Sequence, residues 1–574
     1  MDERIDKRWV EVECDERAVA GLASALGLDP LAARVLACRG LARPEDAERF
    51  ISARLTDLPD PSLLRGMDRA VERLARAVAT GERIALYGDY DVDGVTSTAL
   101  LAGFLRAAGA DVVTYVPHRL AEGYGLNVEA VGKLARGGAR LLVALDCGIT
   151  SVAEVQAAAE LGVDAVVVDH HTVPVELPPA AAILNPHQPG CPYPYKPLAA
   201  VGVTFCLALA LRRRLREAGH FGGARPEPNL KEALDLVALG TVADVVPLTG
   251  VNRILVRSGL AELARTRRVG LRALMRVAGV PEGAPVTAGQ VAFRLAPRIN
   301  AAGRLDDASR GVRLLLETDL AAAAALADEL DRENRTRQEI EREILSEACA
   351  LAEERIRAGA RGLVLARDGW HPGVVGIVAS RIVERYHRPA VLIGVSGGVG
   401  KGSGRSIEGF HLHEALARCS SHLIRFGGHR HAAGLTIDPS AVEAFRLAFE
   451  GHARAKLGED DLVPRCRIEG WIGSGQISER TAHALERLAP FGAGHPEPVF
   501  ALRGRPGRAR PVGASGAHLK TEIHGLEAIG FSLGDRLPLC AGEVEAAVSV
   551  GFDEWDGRKR LQLKIRDLRP AAVR

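Results

Sequence analysis

Three aspartates at alternate positions constrain this chain of 574 residues more than any other feature. Asp89, Asp91 and Asp93 follow directly after the apolar run 84–86. Carboxylates this close repel one another, and a bound cation is the main way to neutralise them. Oxygen ligands suit hard divalent ions such as Mg²⁺ and Mn²⁺. The stretch therefore predicts a metal site at the carboxyl end of a strand.

The composition limits the class of protein. The length suggests three or four domains, and a hydrophobic content of 47% is enough for buried cores. Lys+Arg (74) nearly balance Asp+Glu (72), so nucleic-acid binding must come from local basic patches. The nine cysteines form no CxxC pair, which favours a reduced cytoplasmic protein over a disulfide scaffold or zinc ribbon. The charged start is no signal peptide, and the longest apolar stretch, 198–211, is too short to span a membrane.

Strand-like and helix-like patterns alternate from residue 84 onward. In chain order they occupy residues 84–88, 94–108, 111–116, 127–137, 140–145, 151–161 and 164–168. This alternation predicts an α/β fold with a doubly wound parallel sheet. A proline-rich loop at 173–197 and helices near 198–218 and 230–243 are expected to follow.

The rest of the chain changes character twice. Residues 317–358 contain neither Gly nor Pro, which predicts one long connecting helix, the alternative being two helices with a polar turn. A second α/β pattern follows, and then short alternating runs with a predicted hairpin at 555–558, typical of a small β-barrel. The predicted regions are a helical N-terminal region (1–65), an α/β catalytic domain (66–250), a helical connector (251–358), a smaller α/β domain (359–452) and a β-barrel (463–574).

Metal-capable residues end several elements of the first α/β domain. Asp89, Asp146 and Asp169 each follow a predicted strand, where ligands of parallel sheets gather. The further candidates are His170, His171 and Asp244. A lone strand-end aspartate is more often a helix N-cap than a ligand, but the coincidence of the whole set favours a metal centre. Two divalent ions about 3.5–4 Å apart can activate a water and stabilise a leaving oxygen in phosphoryl hydrolysis.

These motifs resemble the DHH phosphoesterase superfamily, and within it the RecJ branch of single-strand-specific 5′→3′ DNA exonucleases. The matching segments are 89–94, 116–119, 122–125, 146–148, 169–171, 240–248 and 297–304. Together they cover most of residues 80–310. Family II pyrophosphatases of the same superfamily have a His four residues before the second motif aspartate, where this chain has Tyr87. That departure favours the RecJ branch.

The resemblance implies individual roles for the clustered residues. Asp91 and Asp146 are expected to bind one ion, and Asp146 is expected to be shared with a second. The expected ligands of that second ion are Asp93, Asp146, His170 and Asp244, with Asp89 also in the cluster. His171 is expected to contact the scissile phosphate and to act as an acid, so Asp146 and His171 are the catalytic candidates. Mixed Asp/His ligation favours Mn²⁺ over Mg²⁺ without excluding either.

Glycine-rich segments with Ser, Arg and His mark the second α/β pattern. Small residues let a backbone approach a phosphate, and these side chains supply donors. As a set the segments resemble the DHHA1 domain, which implies that Ser403, Arg405 and His429 hold substrate. The segment 297–304 adds further expected substrate contacts at Arg298, Asn300 and Arg304.

The last region carries arginines between residues 503 and 510 and on the predicted hairpin. A small basic β-barrel resembles an OB-fold, which binds single strands through backbone charge and base stacking. The candidate contacts are Arg508, Arg510, Trp555 and Arg558, with Trp471 and Phe552 as further stacking platforms. The alternative is that the arginines reflect composition bias and the aromatics belong to the core.

Together the residues and the resemblance predict a metal-dependent 5′→3′ exonuclease. It would hydrolyse single-stranded DNA to 5′-mononucleotides by a two-metal mechanism in DNA repair and recombination. The polarity and the DNA preference rest on the resemblance alone. The alternatives are an oligoribonuclease or nucleotide phosphatase of the same superfamily, and a catalytically inactive replication scaffold. The expected partners are single-stranded DNA, a helicase and a single-stranded-DNA-binding protein, with no membrane.

Overall fold

A computed structural model describes residues 6–118, 122–123, 125–223, 225–305, 307–555 and 558–572. The chain divides into two compact units. The aspartate unit comprises Glu45–Asn334 and Leu488–Glu497, and the terminal unit comprises Met1–Pro44, Arg335–Arg487 and Pro498–Arg574. The boundaries of the five predicted regions stay a prediction. Within the described ranges, every helix is too short or too polar to cross a membrane.

The aspartate unit is built on a five-stranded sheet in which all strands are parallel. In sheet order the strands are Val112–Tyr115, Arg83–Gly88, Ala139–Leu145, Asp164–Val168 and Ala182–Leu184. The predicted parallel sheet is confirmed. The edge strand Ala182–Leu184 lies inside the segment predicted to be a loop, because three residues are too few to show a periodic pattern.

Both faces of this sheet are covered. Alternate strand residues enter separate cores, so that Leu86 and Val143 pack on one face while Ala85 and Leu142 pack on the other. Burial on both faces explains why the strands are continuous apolar runs. The helices of the unit are Met67–Thr80, Val92–Ala107, Val128–Arg136, Val152–Glu160, Ala200–Glu217, Leu234–Ala243, Gly250–Leu263, Val269–Val277, Ala288–Gln290, Ala296–Leu305 and Ser309–Leu316.

A single helix of 38 residues, Leu320–Arg357, follows. It confirms the predicted long helix over the alternative of two helices with a turn. No helix-breaking Gly or Pro interrupts this stretch. The division between the two units falls within it, at Asn334 and Arg335.

The terminal unit contains a five-stranded mixed sheet. In sheet order its strands are Arg425–Gly428, Ala432–Ile437, Val399–Arg405, Ala390–Ser396 and Leu363–Asp368. The helices Val375–Tyr386, Leu412–Arg418 and Val442–Lys456 accompany it. Phe410, Phe445 and Phe449 are fully buried in the core of this region. The second α/β pattern predicted from the sequence is therefore confirmed.

A six-stranded sheet forms the last part of the terminal unit. In sheet order the strands are Phe500–Gly504, Val544–Trp555, Arg558–Pro570, Leu526–Gly530, His518–Ile523 and Pro506–Val512. The predicted hairpin is confirmed, since Trp555 pairs with Arg558.

The first residues of the chain also belong to the terminal unit. The helices Glu16–Leu26 and Pro30–Cys38 agree with the helical pattern predicted for the start. The strand Arg8–Glu11 does not, and it pairs in parallel with Arg465–Ile468. A strand that pairs with a segment more than 400 residues away in the sequence has no local turn signal to reveal it. Pro44–Ser52 and Glu479–Glu486 are further α-helices.

Candidate metal centre

The parallel sheet brings three aspartates to one edge. Each follows a strand, and its backbone amide continues the ladder by donating to the neighbouring strand. Asp89 donates to Leu145 O (3.1 Å), Asp146 to Val168 O (2.9 Å) and Asp169 to Leu184 O (2.9 Å). Their side chains therefore start from adjacent positions at the carboxyl edge of the sheet, where ligands of open α/β sheets bind.

All the side chains that the sequence assigned to metal binding converge there. Within each of three groups, the ligand atoms lie within 4.8 Å of one another. The groups are Asp89, Asp91 and Asp146; Asp93, His170 and Asp244; and Asp146, His170 and His171. Asp146 and His170 occur in two groups each, which fits the expectation that a carboxylate is shared. The ligand set of each ion stays a prediction.

Three buried atoms of the cluster point to a cation. His170 Nε2 lies 3.3 Å from Asp146 Oδ1 and 3.6 Å from Asp244 Oδ2. Among the described residues, none of these three atoms has a hydrogen-bond partner. Buried polar atoms in folded proteins are nearly always satisfied. Converging oxygen and nitrogen lone pairs without a donor are the donor set that a divalent cation requires, so the residues present fit Mn²⁺ or Mg²⁺.

The shifted pKa values of the clustered residues also indicate a bound cation. Burial and the neighbouring carboxylates raise the pKa of Asp146 and Asp244 well above the ordinary range. Burial and the charge of Asp91 raise the pKa of Asp93 to about 7. Burial lowers the pKa of His170 to about 4, which keeps the imidazole neutral, the form that binds metals. The cluster is therefore costly to ionise without a compensating positive charge.

Helix N-termini hold two of the aspartates. Asp91 caps the helix Val92–Ala107, and its Oδ1 accepts from the amides of Asp93 (2.9 Å) and Gly94 (3.2 Å). Asp93 accepts from the amides of Ala200 (2.7 Å) and Val201 (2.8 Å), at the start of the helix Ala200–Glu217. Asp91 is therefore a helix N-cap, and capping orients a carboxylate that also belongs to the cluster.

Gly94 permits the close approach of this helix to the strand. A Cβ at Gly94 would lie 2.5 Å from Asp89 O and 2.6 Å from Asp89 N. Asn300 completes the turn, because its Oδ1 accepts from the amide of Val92 (3.2 Å). The aspartate motif therefore needs a glycine at 94 for steric reasons.

Asp169 serves to position His171. Its carboxylate accepts from the amides of Ile149 (3.0 Å), His170 (2.7 Å) and His171 (3.1 Å), and from His171 Nδ1 (2.7 Å). Burial opposes the charged form of His171, but the hydrogen bond and charge of Asp169 outweigh it and raise the pKa of His171. With Nδ1 engaged, a substrate contact by His171 must use Nε2. The sequence marked Asp169 as a strand-end acid and missed this positioning role.

Tyr87 packs on the sheet face that carries Ala85 and Leu142. Its hydroxyl donates to Gly125 O (2.9 Å) and accepts from Asn127 Nδ2 (3.2 Å). Tyr87, at the position where pyrophosphatases have a histidine, is therefore a core residue whose hydroxyl contacts Gly125 and Asn127. Arg119 and Tyr124, in two of the matching motif segments, lie outside the described residues.

The predicted substrate residues of the segment 297–304 lie on the helix Ala296–Leu305. Arg298 donates to Asp331 Oδ1 (2.9 Å), Arg294 O (2.5 Å) and Val277 O (3.3 Å). Arg304 is half-buried. These contacts show how Arg298 and Asn300 are held within the unit, and the substrate roles of all three residues stay predictions.

In the terminal unit, sheet register brings Ser403, Arg405 and His429 to one end of the mixed sheet. Arg405 Nη1 donates to Ser403 Oγ (3.0 Å). Arg405 also pairs with Ala432, whose carbonyl accepts from the amide of His429 (2.8 Å). A Cβ at Gly376 would lie 2.9 Å from Ser403 Oγ, so the helix Val375–Tyr386 begins directly against these side chains. The backbone positions of the three predicted phosphate contacts are therefore adjacent.

The arginines predicted to bind single-stranded nucleic acid lie on the β-strand Pro506–Val512. Both Arg508 and Arg510 are exposed, and Arg508 is 3.4 Å from Glu522. Trp471 is also exposed, with its ring centroid 6.3 Å from that of Trp9. The side chains of Trp555 and Arg558 lie outside the part of the chain that the structure describes.

Three family models match the chain in the predicted order. They are the DHH family, N-terminal domain, at residues 83–241, the DHHA1 domain at 359–454 and the RecJ OB domain at 468–567. A curated RecJ from Dickeya dadantii is 42% identical over 562 residues, covering 95% of this chain and 96% of the relative. The chain belongs to the RecJ family.

Further relatives agree with this assignment. RecJ of Escherichia coli is 40% identical, with the same coverage of both chains. The crystal structure of RecJ in complex with Mn²⁺ from Thermus thermophilus superposes with a TM-score of 0.85 at 35% identity, covering 100% of this chain and 81% of that chain. The Mg²⁺ complex gives 0.78 at 33% identity, covering 100% and 80%. The curated relatives are named single-stranded-DNA-specific exonucleases. The predicted family, fold class and enzyme class are confirmed.

Replacing Asp146 by Asn tests the electrostatic account of the cluster. Asp146 has a φ of 63°, a left-handed conformation that Asn tolerates as well as Asp. The raised pKa of Asp146 means that this carboxyl destabilises the folded state near neutral pH. Asp146→Asn removes that cost, so we expect the melting temperature in EDTA to rise by about 2–4 °C. The rise in melting temperature caused by MnCl₂ should be lost. Thermal unfolding with EDTA and with MnCl₂ measures both effects.

Asp111→Asn is the matched control, because Asp111 is exposed and paired with Arg83. It should change neither the stability in EDTA nor the response to MnCl₂. A destabilised Asp146→Asn protein that keeps the full response to MnCl₂ would contradict the assignment.

Proposed function

We propose that this chain is a metal-dependent exonuclease that hydrolyses single-stranded DNA from the 5′ end to 5′-mononucleotides. The observation that carries the proposal is the convergence of seven metal-capable side chains at the carboxyl edge of the parallel sheet. The names of its relatives support the substrate class. A role in DNA repair and recombination, with a helicase and a single-stranded-DNA-binding protein as partners, is part of the same proposal.

The proposed centre holds two ions, Mn²⁺ or Mg²⁺. Asp91 and Asp146 would hold one. The residues that would hold the other are Asp93, Asp146, His170 and Asp244, with Asp89 beside them. When bound, such ions lower the pKa of water and stabilise the charge on the attacking and leaving oxygens. The orphaned lone pairs of Asp146, His170 and Asp244 support this ligand set.

The proposed part of His171 is to stabilise the reacting phosphate. Asp169 holds the ring through Nδ1 and favours its protonated form. Nε2 is then oriented to donate to a non-bridging phosphate oxygen and to give a proton to the departing 3′ oxygen. The attacking water loses a proton to solvent and forms the new P–O bond as the bond to that 3′ oxygen breaks, and the 3′ oxygen takes up the proton from His171. This releases the terminal nucleotide and leaves a 5′-phosphate on the shortened strand.

Substrate holding is assigned to two groups of donors. Ser403, Arg405 and His429 supply hydroxyl, guanidinium and imidazole donors suited to phosphate. Arg298, Asn300 and Arg304 are proposed as contacts from the aspartate unit. An inactive scaffold is the less favoured function, because the chain retains the complete set of clustered acids and His170.

Digestion of end-labelled single strands tests the substrate and the polarity. A bulky block at the 5′ end should stop release of mononucleotides in Mn²⁺, whereas the same block at the 3′ end should not. RNA of the same sequence and blunt duplex DNA serve as matched substrates, and both should be digested more slowly. Equal digestion whichever end is blocked would contradict the polarity, and equal digestion of RNA would favour the oligoribonuclease alternative.

His171→Ala separates a substrate contact from a metal ligand. We expect kcat to fall by about 10²–10⁴-fold, the usual contribution of a positioned acid. The rise in melting temperature with MnCl₂ should be retained. In the control variant His170→Ala, both the activity and the response to MnCl₂ should be lost. If His171→Ala also abolishes the response to MnCl₂, His171 is a ligand and its proposed role is wrong.

The double variant Arg508→Ala/Arg510→Ala tests whether the six-stranded sheet binds single-stranded DNA. If each side chain contacts one phosphate, single-strand affinity should fall and the slope of log K against log[salt] should become shallower by about 1.4. Fluorescence anisotropy in EDTA measures binding without digestion. Arg503→Ala is the control, because Arg503 is paired with Glu543 at 2.7 Å. An unchanged slope in the double variant would mean that these arginines are solvated surface residues.

A further inference from the structure

A short segment from the region matched by the RecJ OB domain model belongs to the aspartate unit. It comprises Leu488–Glu497, within the matched residues 468–567. We name this segment the strap. Its attachment points lie on residues 247–253, which begin three residues after Asp244 and so connect the strap to the metal centre.

Arg253 fastens the first part of the strap. The side chain lies on the helix Gly250–Leu263 and is almost completely buried. Its guanidinium donates to Ala489 O (2.9 Å), Pro490 O (3.3 Å) and Phe50 O (2.7 Å). It also lies 3.8 Å from the centroid of the Phe50 ring. One buried cation therefore gathers carbonyls from two distant parts of the chain.

The second part of the strap lies directly against Pro247 and Leu248. The amide of Leu248 donates to Ala493 O (2.8 Å). A Cβ at Gly492 would lie 2.7 Å from Leu248 Cδ1, and one at Gly494 would lie 2.8 Å from Pro247 Cβ. The lack of a side chain at Gly494, whose φ is 68°, permits this close contact with Pro247. The strap thus fixes the position of Pro247 and Leu248.

The strap is itself compact. The His495 ring lies between Phe50 and Phe491, with centroid distances of 4.8 Å and 5.1 Å. His495 Nε2 donates to Leu488 O (2.9 Å), which ties the two ends of the strap together. The segment therefore acts as a preformed clamp rather than as a loose connection.

Val245, a residue with a strained backbone, lies between Asp244 and the residues that the strap contacts. Asp244 ends the helix Leu234–Ala243, and its amide donates to Gly240 O (2.9 Å). Val245 follows with a φ of 62° and is 71% exposed. A β-branched residue in the left-handed region is a genuine outlier. Such strain persists only where the surrounding structure over-determines the backbone.

We propose that the strap is a positioning element for Asp244. By fixing Pro247 and Leu248 it holds Val245 in the strained turn, and that turn directs the Asp244 carboxylate toward His170. Tyr195 and Asn252 donate to Pro247 O at 3.1 Å and 3.0 Å, so they and the strap together hold Pro247 in place. The inference rests on the proposed function, because it takes Asp244 as a metal ligand.

Arg253→Met removes the fastening and tests this inference. We expect the dissociation constant for Mn²⁺, measured as free Mn²⁺ by electron paramagnetic resonance, to rise about 10–100-fold, as when supporting residues around a metal site are lost. Arg253→Lys keeps the charge with fewer donors and should show a smaller rise. It also carries the test if the Met variant does not fold.

A control of matched stability distinguishes positioning from general destabilisation. Leu274→Ala removes a buried side chain from the helix Val269–Val277 of the same unit. It should lower the melting temperature and leave the Mn²⁺ dissociation constant unchanged. Equal weakening in Leu274→Ala and Arg253→Met, or no weakening in either Arg253 variant, overturns the proposal.

A rescue experiment addresses the strained turn. Asn adopts the left-handed conformation more readily than Val, so Val245→Asn should reduce the need for the clamp. The double variant Arg253→Met/Val245→Asn should recover most of the lost Mn²⁺ affinity. If it binds as weakly as Arg253→Met alone, the link through Val245 is wrong.

Asp244→Asn separates this inference from the proposed function. If Asp244→Asn binds Mn²⁺ like the wild type, the ligand assignment fails. If Asp244→Asn binds weakly while both Arg253 variants bind like the wild type, only the strap proposal fails.

Discussion

Mutual repulsion among buried carboxylates is the constraint on which the rest of this structure depends. The sheet places Asp89 and Asp146 side by side, and backbone amides offset part of the repulsion. The helix Val92–Ala107 directs its first amides at Asp91, and the helix Ala200–Glu217 directs its first amides at Asp93. Helix N-termini favour negative charge. These amides do not neutralise all of the carboxylates, because the pKa of Asp146 and of Asp244 stays raised. A bound cation would supply the positive charge that offsets the remaining repulsion.

The sequence predicted the elements whose signals are local. The strands of the parallel sheet are continuous apolar runs, and an acid follows three of them, so the edge that carries Asp89, Asp146 and Asp169 could be placed without coordinates. Elements defined by distant partners could not be predicted. The strand Arg8–Glu11 exists because Arg465–Ile468 pairs with it. The strap has no periodic pattern, and its position depends on carbonyls that only the fold brings to Arg253.

The sequence motifs locate the candidate site but do not distinguish the roles of the residues within it. Asp169 belongs to the same tripeptide as His170, yet its carboxylate accepts four hydrogen bonds from neighbouring residues and orients His171. Asn300 was expected to hold substrate, and its Oδ1 accepts from the amide of Val92 beside the aspartates. A residue that positions a ligand and a residue that contacts substrate leave the same trace in a single sequence. Hydrogen-bond partners separate them, because each carboxylate or amide oxygen has only a few lone pairs to share.

The strap changes how a C-terminal truncation of this chain has to be interpreted. Removing the residues beyond about 460 would delete the basic strand Pro506–Val512 and also the segment that fixes Leu248. Under the proposed function, lost activity in such a protein would combine weaker binding of single-stranded DNA with a displaced Asp244, and these two effects have different physical signatures. Loss of phosphate contacts makes the salt dependence of binding shallower, whereas loss of the clamp weakens metal affinity at any salt concentration. Point variants at Arg508 and Arg253 separate the two effects, because each removes the contacts of a single side chain and leaves the other backbone segment in place.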